Sequence, residues 1–224
     1  MKDYLIIENC LTKDDLGEIY YFIDQFGDWI DGNITYSGKE GVKKNDQIAF
    51  SDEFVKQKIS DIVYDRMDTH GSFHEYTIPT NSARPIISRT NTGGYYLPHH
   101  DKAENGDFST TIFLNDDFEG GELCLWVNEK ENRIKLPAGG SVTYRTGIPH
   151  MVREVTDGHR DAVVFWTHSR LKDPWDIEIY HGLSQALKYI KMEDVANLEE
   201  ASENPAFILN SLKESILRKS YRKL

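Results

Sequence analysis

The stretch STTIFLNDDFEGGELCLWV, residues 109–127, holds two short apolar runs with a polar, glycine-containing turn between them. Runs of this length that are bounded by Asn, Asp and Gly are typical of β-strands joined by turns. The glycine pair at 120–121 supplies the backbone freedom that a tight turn needs. We therefore expect two neighbouring antiparallel strands here.

The same succession of short runs and turns extends from residue 73 to about residue 169. Five more runs have this form: RPIISRT (84–90), RIKLP (133–137), GSVTYRT (140–146), HMVREV (150–155) and RDAVVFWTHS (160–169). Further glycine pairs at 93–94 and 139–140 mark additional turns. Several short strands at this spacing predict an antiparallel barrel or sandwich.

Helical patterns lie on both sides of this β region. Residues 11–26 offer Thr12 as a candidate N-cap, after which apolar residues recur three and four positions apart. Ser51 is a candidate cap for a second helix that reaches about Met67. After Pro174 the helical pattern returns and continues toward the C-terminus.

Together these patterns predict an α+β protein in which a β core is flanked by N-terminal and C-terminal helices. We divide the chain into a helical and loop support region (1–72), a core (73–172) and a C-terminal helical extension (173–224), all within one structural unit. The polar, glycine-containing segment from Asp31 to Asp46 is expected to be a loop.

The composition excludes several classes of protein. Of the 224 residues, 26 are Lys or Arg and 37 are Asp or Glu, so the net charge of −11 disfavours nucleic-acid binding. The two cysteines form no disulfide framework and are expected to be buried and reduced. Neither a signal peptide nor a membrane-spanning apolar run is visible, which predicts a soluble, cytoplasmic protein. The sequence carries no signal for an oligomeric state.

A candidate metal site lies in YYLPHHDKAENG, residues 95–106. Because strand side chains alternate between faces, a strand leading into this segment would point His99 and Asp101 the same way and His100 the other way. His150, at the start of a predicted strand, is the best candidate for a third ligand. Two imidazoles and a carboxylate suit non-haem Fe(II), whereas zinc sites more often have four ligands, or three and a water. His-x-Asp is a short pattern, and ordinary turn residues are the alternative.

Arg160 follows His150 by ten residues and opens a mostly apolar strand. Alternation places Arg160, Ala162, Val164 and Trp166 on one face of that strand. A buried guanidinium is costly unless it meets an anion, and its planar fork suits a carboxylate. We interpret Arg160 as the anchor for the distal carboxylate of a dicarboxylic cosubstrate. The alternative is an internal salt bridge with one of the acidic residues.

These residues together resemble the Fe(II)- and 2-oxoglutarate-dependent dioxygenases. YLPHHD is similar to the Tyr-x-Pro-His-x-Asp of the prolyl 4-hydroxylase branch, and STTIFLNDDFEGGELCL is similar to its strand, turn and Gly-Gly-Glu hairpin. The segment DWIDGNITYSGKEGVKKNDQI (28–48) resembles the Trp-x-Asp-Gly to Val-Lys-x-Asn segment of bacterial PKHD-type hydroxylases. The resemblance runs from about Asp28 to the C-terminus.

The resemblance implies a double-stranded β-helix, or jelly roll, and a ligand set for iron. His99, Asp101 and His150 would be the iron ligands, with Arg160 as the 2-oxoglutarate anchor. Tyr96 and Trp166 would be pocket residues near the cosubstrate or substrate. The implied cofactors are Fe(II), 2-oxoglutarate as cosubstrate and O2, with ascorbate as a reductant.

One position departs from the family pattern. Relatives often place a tyrosine nine residues before the first ligand histidine, where it helps to hold 2-oxoglutarate. Thr90 occupies that position here. Thr111 and Tyr144 are candidates for a replacement hydroxyl.

The implied reaction is hydroxylation of an unactivated C–H bond, with succinate and CO2 as coproducts. The resemblance favours a prolyl residue in a peptide or protein as substrate; a small molecule such as a free amino acid is the alternative. Tyr95, Tyr96 and Trp126 are candidates for a peptide groove, and the segments 31–46 and 102–107 are candidates for lids. A non-catalytic metal-binding β-sandwich and a zinc hydrolase are the other classes that the same ligands allow.

Overall fold

Two antiparallel sheets face each other in the computed structural model, which describes residues 3–35, 41–49, 52–190 and 197–221. Within those residues the larger sheet has eight strands in the order β1-β12-β8-β15-β6-β4-β2, with β5 paired to β15. The smaller sheet has the order β11-β10-β13-β7-β3, and β14 pairs with β9. The strands are β1 Tyr4–Ile7, β2 Trp29–Asp31, β3 Lys43–Lys44, β4 Asp46–Ile48, β5 Pro79–Ser82, β6 Ile86–Asn91, β7 Tyr95–His99, β8 Phe108–Phe113, β9 Glu119–Gly120, β10 Leu123–Val127, β11 Lys130–Ile134, β12 Ser141–Arg145, β13 His150–Val152, β14 Val155–Asp157 and β15 His159–Ser169. The predicted jelly-roll core is confirmed.

Helices cover the outer face of the larger sheet and follow the last strand. They are α1 Lys13–Phe26, α2 Glu53–Thr69, α3 Gly71–Thr77, α4 Pro174–Tyr189, α5 Leu198–Glu203 and α6 Pro205–Tyr221, with a short 3₁₀ turn at Gly32–Thr35. Among the described helices, none is long and apolar enough to cross a membrane. Cys10 and Cys124 are buried and unpaired, as predicted.

The start of α1 confirms the predicted N-cap. Thr12 accepts a hydrogen bond from the Asp15 amide, and the Asp15 carboxylate accepts one from the Thr12 amide, so the two residues form a capping box. Asp15 also receives two hydrogen bonds from Arg66 of α2, 2.9 and 3.0 Å long. These contacts attach the two helices to each other on the back of the larger sheet.

Two apolar cores flank the larger sheet. The outer core lies between the sheet and the helices and includes Ile19, Ile59, Phe73, Val163 and Phe165. The inner core lies between the two sheets and includes Phe113, Leu125, Val142, Tyr144 and Val155. The larger sheet is therefore covered on both faces, as expected when alternate side chains of each strand face different cores.

The expectation of a loop from Asp31 to Asp46 is wrong at both ends. Asp31 ends β2, β3 pairs with β7, and β4 pairs with β6, so this segment joins both sheets. Strands of two or three residues are too short to show alternation, and their pairing depends on distant partners. Residues 36–40 lie outside the described part of the chain.

The expected boundaries of the second helix also need correction. Ser51 lies outside the described residues, and α2 begins at Glu53 and ends at Thr69. A separate helix, α3, then covers residues 71–77, where the strand region was expected to begin.

We propose that the regions 1–72, 73–172 and 173–224 belong to one structural unit, since strands from the first region pair with strands of the second.

The central strand β15 has one face toward the space between the two sheets and one face toward the helices. Val163 and Phe165 pack in the outer core, where Asp161 is fully buried and receives hydrogen bonds of 2.7 and 2.8 Å from Arg89. Since Asp161 is held on the outer face, the alternate residue Arg160 must face inward. The predicted division of this strand into two faces is confirmed.

Candidate active site

A cavity of about 280 Å³ opens between the two sheets. It is lined by all six residues selected from the sequence: Tyr96, His99, Asp101, His150, Arg160 and Trp166. They come from three strands and one loop, because β7 and β13 are neighbours in the smaller sheet while β15 lies in the larger one. His100 is exposed at the cavity rim.

His99, Asp101 and His150 form a compact cluster whose potential ligand atoms all lie within 4.8 Å of one another. The Nε2 atom of His99 is 3.9 Å from one Asp101 oxygen, and the Nε2 atom of His150 is 3.7 Å from the other. Two imidazoles and one carboxylate that converge on one point can hold a divalent metal ion on one side and leave its other side open.

Backbone carbonyl groups fix the direction of both imidazoles. The Nδ1 atom of His99 is 2.8 Å from the Leu97 carbonyl oxygen, and that of His150 is 2.9 Å from the Ile148 carbonyl oxygen. With Nδ1–H donating to a carbonyl, the Nε2 lone pair of each ring points toward Asp101. Burial and the nearby His150 lower the pKa of His99 to about 4, so its ring is neutral near pH 7 and can act as a ligand.

Two side chains from the larger sheet hold the Asp101 carboxylate. Ser109 of β8 donates a hydrogen bond of 2.7 Å to Oδ2, and the Trp166 indole N–H donates one of 2.9 Å to the same oxygen. Ser109 and Trp166 are directly opposite each other in the β8–β15 register. The structure thus places Trp166 against Asp101, and it adds Ser109, which the sequence analysis missed. Ser109 precedes Thr111 by two residues and so shares its strand face, which was the signal available in the sequence.

A β-bulge brings Tyr96 and His99 onto the same face. Strict alternation would separate them, but β7 advances three positions from Tyr96 to His99 where β13 advances two from Val152 to His150. The Tyr96 ring stacks on the His99 ring, with centroids 3.6 Å apart. The Lys43 ammonium also lies over the Tyr96 ring, 5.1 Å from its centroid. Lys43 also lines the cavity, although its segment was expected to be loop.

Arg160 is a buried cation. It is 3% exposed, and among the described residues its Nε–H group has no hydrogen-bond acceptor. Within the described residues, no carboxylate lies within ion-pair distance of its guanidinium, which instead lies 4.9 Å from the Phe113 ring centroid. Burial lowers the pKa of Arg160 to about 10, but the group remains charged near pH 7. Within the described residues no internal salt bridge to Arg160 is found, and the adjacent Asp161 is paired with Arg89 on the opposite face of the strand.

Comparison with known proteins gives the family. Residues 85–168 match the model of the 2OG-Fe(II) oxygenase superfamily. A PKHD-type hydroxylase of Gluconacetobacter diazotrophicus is 33% identical over 159 residues, which are 65% of this chain and 70% of that relative. The chain belongs to the PKHD-type hydroxylases. A second PKHD-type hydroxylase, from Burkholderia cenocepacia, is 28% identical over 96% of this chain and 97% of its own length.

Solved structures agree on the fold of this hydroxylase. A prolyl hydroxylase from Trichoplax adhaerens, in complex with a hypoxia inducible factor peptide fragment, has a TM-score of 0.59 at 17% identity, covering 75% of this chain and 84% of its own. A Pseudomonas putida prolyl-4-hydroxylase has a TM-score of 0.53 at 15% identity, covering 74% and 92%. These neighbours have the same jelly-roll fold.

Family membership establishes the class of chemistry. The protein is a 2-oxoglutarate-dependent dioxygenase that uses Fe(II), 2-oxoglutarate and O2. Membership of this family excludes the two other classes considered, a non-catalytic metal-binding module and a zinc hydrolase.

The aromatic residues expected at a peptide groove divide into two groups. Tyr95 and Tyr96 line the cavity. Trp126 is 54% exposed and does not line it, because Leu123 and Leu125 of the same strand pack inward and Trp126 has the opposite parity. Trp126 therefore lies outside this cavity, and a role for it in a peptide groove stays a prediction.

The polar loop from Lys102 to Asp107 is anchored at its C-terminal end. The Asp107 carboxylate accepts hydrogen bonds from the Ser169 amide at 2.7 Å and from Lys172 at 2.6 Å. A Cβ atom on Gly106 would lie 3.0 Å from both the Thr167 carbonyl oxygen and the Trp166 Cβ, so the backbone packs tightly on β15. Gly106 and Asp107 are therefore held against β15 and the start of the C-terminal region, and a lid formed by residues 102–105 stays a prediction.

Proposed function

We propose that this hydroxylase binds Fe(II) through His99, Asp101 and His150, holds 2-oxoglutarate with Arg160, and hydroxylates a prolyl residue in a peptide or protein. The observation that carries the proposal is the buried Arg160, which has no acidic partner in the part of the chain that the structure describes and lies in the same cavity as the three converging ligand groups. A buried cation of this kind needs an anion that arrives from outside the protein.

The donor set fits iron. Two neutral imidazoles and one carboxylate are the ligand types of non-haem Fe(II) oxygenases, and the ligand atoms lie close enough to bind one ion. Hydrogen bonds orient these ligands without a metal. The two imidazoles are held by the carbonyl groups of Leu97 and Ile148, and the Asp101 carboxylate is held by Ser109 and Trp166.

When bound, Fe(II) together with 2-oxoglutarate and O2 supplies the oxidising power for C–H hydroxylation, with succinate and CO2 as coproducts. The protein contributes binding and orientation. Arg160 neutralises the distal carboxylate of the cosubstrate through its planar donor fork. The apolar side chains Leu123, Val152 and Val164 line the same cavity and limit the access of water.

Two features of the surface support a peptide substrate. The cavity rim carries the exposed residues His100, Lys102 and Glu104, so the cavity opens to solvent beside the candidate metal ligands. A second cleft of about 370 Å³ begins at Asp101 and continues past Gly147 and Lys172 toward α4. An extended chain can enter the rim and continue along this cleft, and the neighbour from Trichoplax adhaerens is a prolyl hydroxylase with a bound peptide fragment.

A substrate screen tests this proposal. The full chain is incubated with Fe(II), 2-oxoglutarate, ascorbate as reductant, and either proline-containing peptides or free amino acids. We expect succinate to form, and mass spectrometry to show a gain of one oxygen atom on a peptide proline. Oxygen gain on a free amino acid alone would favour the small-molecule alternative, and an oxidised residue other than proline would contradict the prolyl assignment. The Asp101→Ala variant controls for reactions of free iron.

Replacing Trp166 with phenylalanine tests the support of Asp101. The variant loses the indole hydrogen bond to Oδ2 while it keeps an aromatic ring in the cavity wall. Loss of a hydrogen bond to a metal ligand commonly weakens metal affinity by about 10- to 100-fold, and we expect this range. Competition with a chromogenic chelator measures the affinity for Co(II) or Mn(II).

Trp175→Phe is the matched control, because Trp175 is 72% exposed on α4. Its metal affinity should equal that of the wild type. An unchanged metal affinity in Trp166→Phe would show that Ser109 alone is sufficient to hold Asp101.

A further inference from the structure

We propose that the Lys43 ammonium binds a carboxylate of the substrate, so that the enzyme prefers a proline with an acidic group close by. The inference rests on the proposed function, because it names the class of substrate for that same site. The acidic group is either the side chain of a neighbouring residue or the terminal carboxylate of the proline itself. The starting observation is a buried cation in the cavity wall, beside the candidate metal ligands.

The pairing of a two-residue strand places Lys43 at the cavity. Lys43 lies opposite Tyr96 in the β3–β7 register, and its ammonium lies over the Tyr96 ring, 5.1 Å from the centroid. The same ring stacks on the His99 imidazole. A carboxylate bound at Lys43 is therefore separated from a candidate metal ligand by one aromatic ring, and the rest of the bound molecule can reach the metal cluster.

Burial makes the charge of Lys43 effective. The residue is 6% exposed, and the removal of its ammonium from water lowers its pKa to about 8, while Asp101 and Asp31 act in the opposite direction. The group therefore stays mainly protonated near pH 7. Charges away from water are screened less than charges on the surface, so a buried cation discriminates strongly between a charged and a neutral ligand.

The cavity wall that continues from Lys43 is polar as well. Asn45 and Gln47, the next two alternate residues, also line the cavity. Gln47 is 4% exposed, and Asn45 donates a hydrogen bond of 2.5 Å to Ser88 of β6, which lines the cavity too. A few polar groups in a binding cavity orient a polar part of the ligand, so this wall suits a carboxylate better than an apolar side chain.

Two other Lys or Arg side chains line the cavity in the described part of the chain, and both lie elsewhere. Arg160 belongs to the larger sheet, and the proposed function assigns it to the cosubstrate. Lys102 is at the exposed rim, where its ammonium is 3.6 Å from a carboxylate oxygen of Glu104. Lys43 is therefore the cation best placed to meet a substrate at the metal cluster.

Binding of matched probes tests the inference without turnover. The full chain is saturated with Mn(II) and 2-oxoglutarate, and ligand-observed NMR measures the affinity for two pairs of proline compounds. The C-terminal amides of N-acetyl-Pro-Asp and N-acetyl-Pro-Asn differ in a side-chain carboxylate, whereas N-acetylproline and N-acetylprolinamide differ in a terminal one. We expect the wild type to bind the acidic member of at least one pair about 10- to 100-fold more tightly, the range for a hydrogen bond to a charged group. The pair that shows the preference identifies the source of the carboxylate.

Lys43→Met keeps most of the side-chain length but removes its charge. In this variant the preference should fall to within about twofold, while the affinity for the neutral probes is retained. Lys43→Arg keeps the charge and should restore part of the preference. Lys44→Met is the matched control, because Lys44 is the next residue of the same strand but is exposed and does not line the cavity. It should keep the wild-type preference.

The outcomes separate the inference from the proposed function. A wild type without a preference for the acidic member of either pair, including one that binds none of the probes, overturns the inference. A preference that persists in Lys43→Met also overturns it, because the metal ion would then be its source. Equal weakening of all four probes in Lys43→Met would show that the ammonium only supports Tyr96, and the inference would again be wrong. A preference that depends on Lys43, without hydroxylation of any proline peptide, would overturn the prolyl proposal alone.

Discussion

Replacing Asp101 with alanine is expected to abolish measurable Fe(II) binding and turnover. Asp101 supplies the carboxylate of the cluster and lies within 3.9 Å of the Nε2 atoms of both His99 and His150. Without it, two imidazoles remain, which bind a divalent cation far more weakly than a set that includes a charged oxygen ligand. Metal content after dialysis against Fe(II) or Co(II), measured by elemental analysis, gives the result directly.

The neighbouring histidine provides an internal control for this prediction. His100→Ala removes an imidazole one residue away, at the exposed rim, and should retain most of the metal binding and activity. His99→Ala and His150→Ala should behave like Asp101→Ala. If His100→Ala were as damaging as His99→Ala, the assignment of the ligand within the histidine pair would be wrong.

Arg160→Leu is expected to lower the affinity for 2-oxoglutarate by two to four powers of ten while metal binding is retained. The loss of one partner of a buried ion pair costs about 3–5 kcal/mol, and each 1.4 kcal/mol corresponds to a factor of ten. The 2-oxoglutarate concentration that gives half-maximal succinate formation should rise accordingly. Calorimetric titration of the Mn(II)-loaded variant measures the same loss without turnover.

Stability provides a second measurement on the same variant. In the ligand-free wild type Arg160 is a buried charge for which the described residues supply no carboxylate partner, and burial lowers its pKa to about 10. Leucine removes this desolvation cost, so the variant should unfold at a higher urea concentration than the wild type when no ligand is present. It should gain little further stability when 2-oxoglutarate is added.

Arg160→Lys keeps the charge but loses the planar donor fork, so its affinity should lie between those of the wild type and Arg160→Leu. Wild-type affinity in Arg160→Leu would contradict the proposed anchor. Lower stability in the ligand-free variant would indicate a protein partner for the guanidinium.

Residues whose environment depends on local pattern could be predicted from the sequence. Thr12 caps α1 because a threonine followed three residues later by an aspartate forms a local capping box. Arg160 faces the cavity because an eleven-residue strand alternates regularly along its length. The candidate iron ligands and the candidate cosubstrate anchor were selected by spacing and by the resemblance to a family, and the structure brings all of them into one cavity.

Residues whose environment depends on distant pairing were missed or misplaced. The strands β3 and β4 are too short to show a pattern and exist because β7 and β6 offer them partners. Trp126 follows the alternation of β10 and faces away from the cavity, although its aromatic ring suggested a groove.

The sequence by itself determined the β core with its flanking helices, the residues selected as candidate metal ligands, and the inward direction of Arg160, because periodicity and spacing are properties of neighbouring residues. Only the tertiary structure decided how the cavity is arranged. The strand β7 ends at His99, so alternation does not place Asp101; Ser109 and Trp166 hold it from the other sheet. A bulge against β13 moves Tyr96 onto the face of His99. Such contacts join residues from different strands, and their pairing becomes fixed only when the two sheets fold against each other.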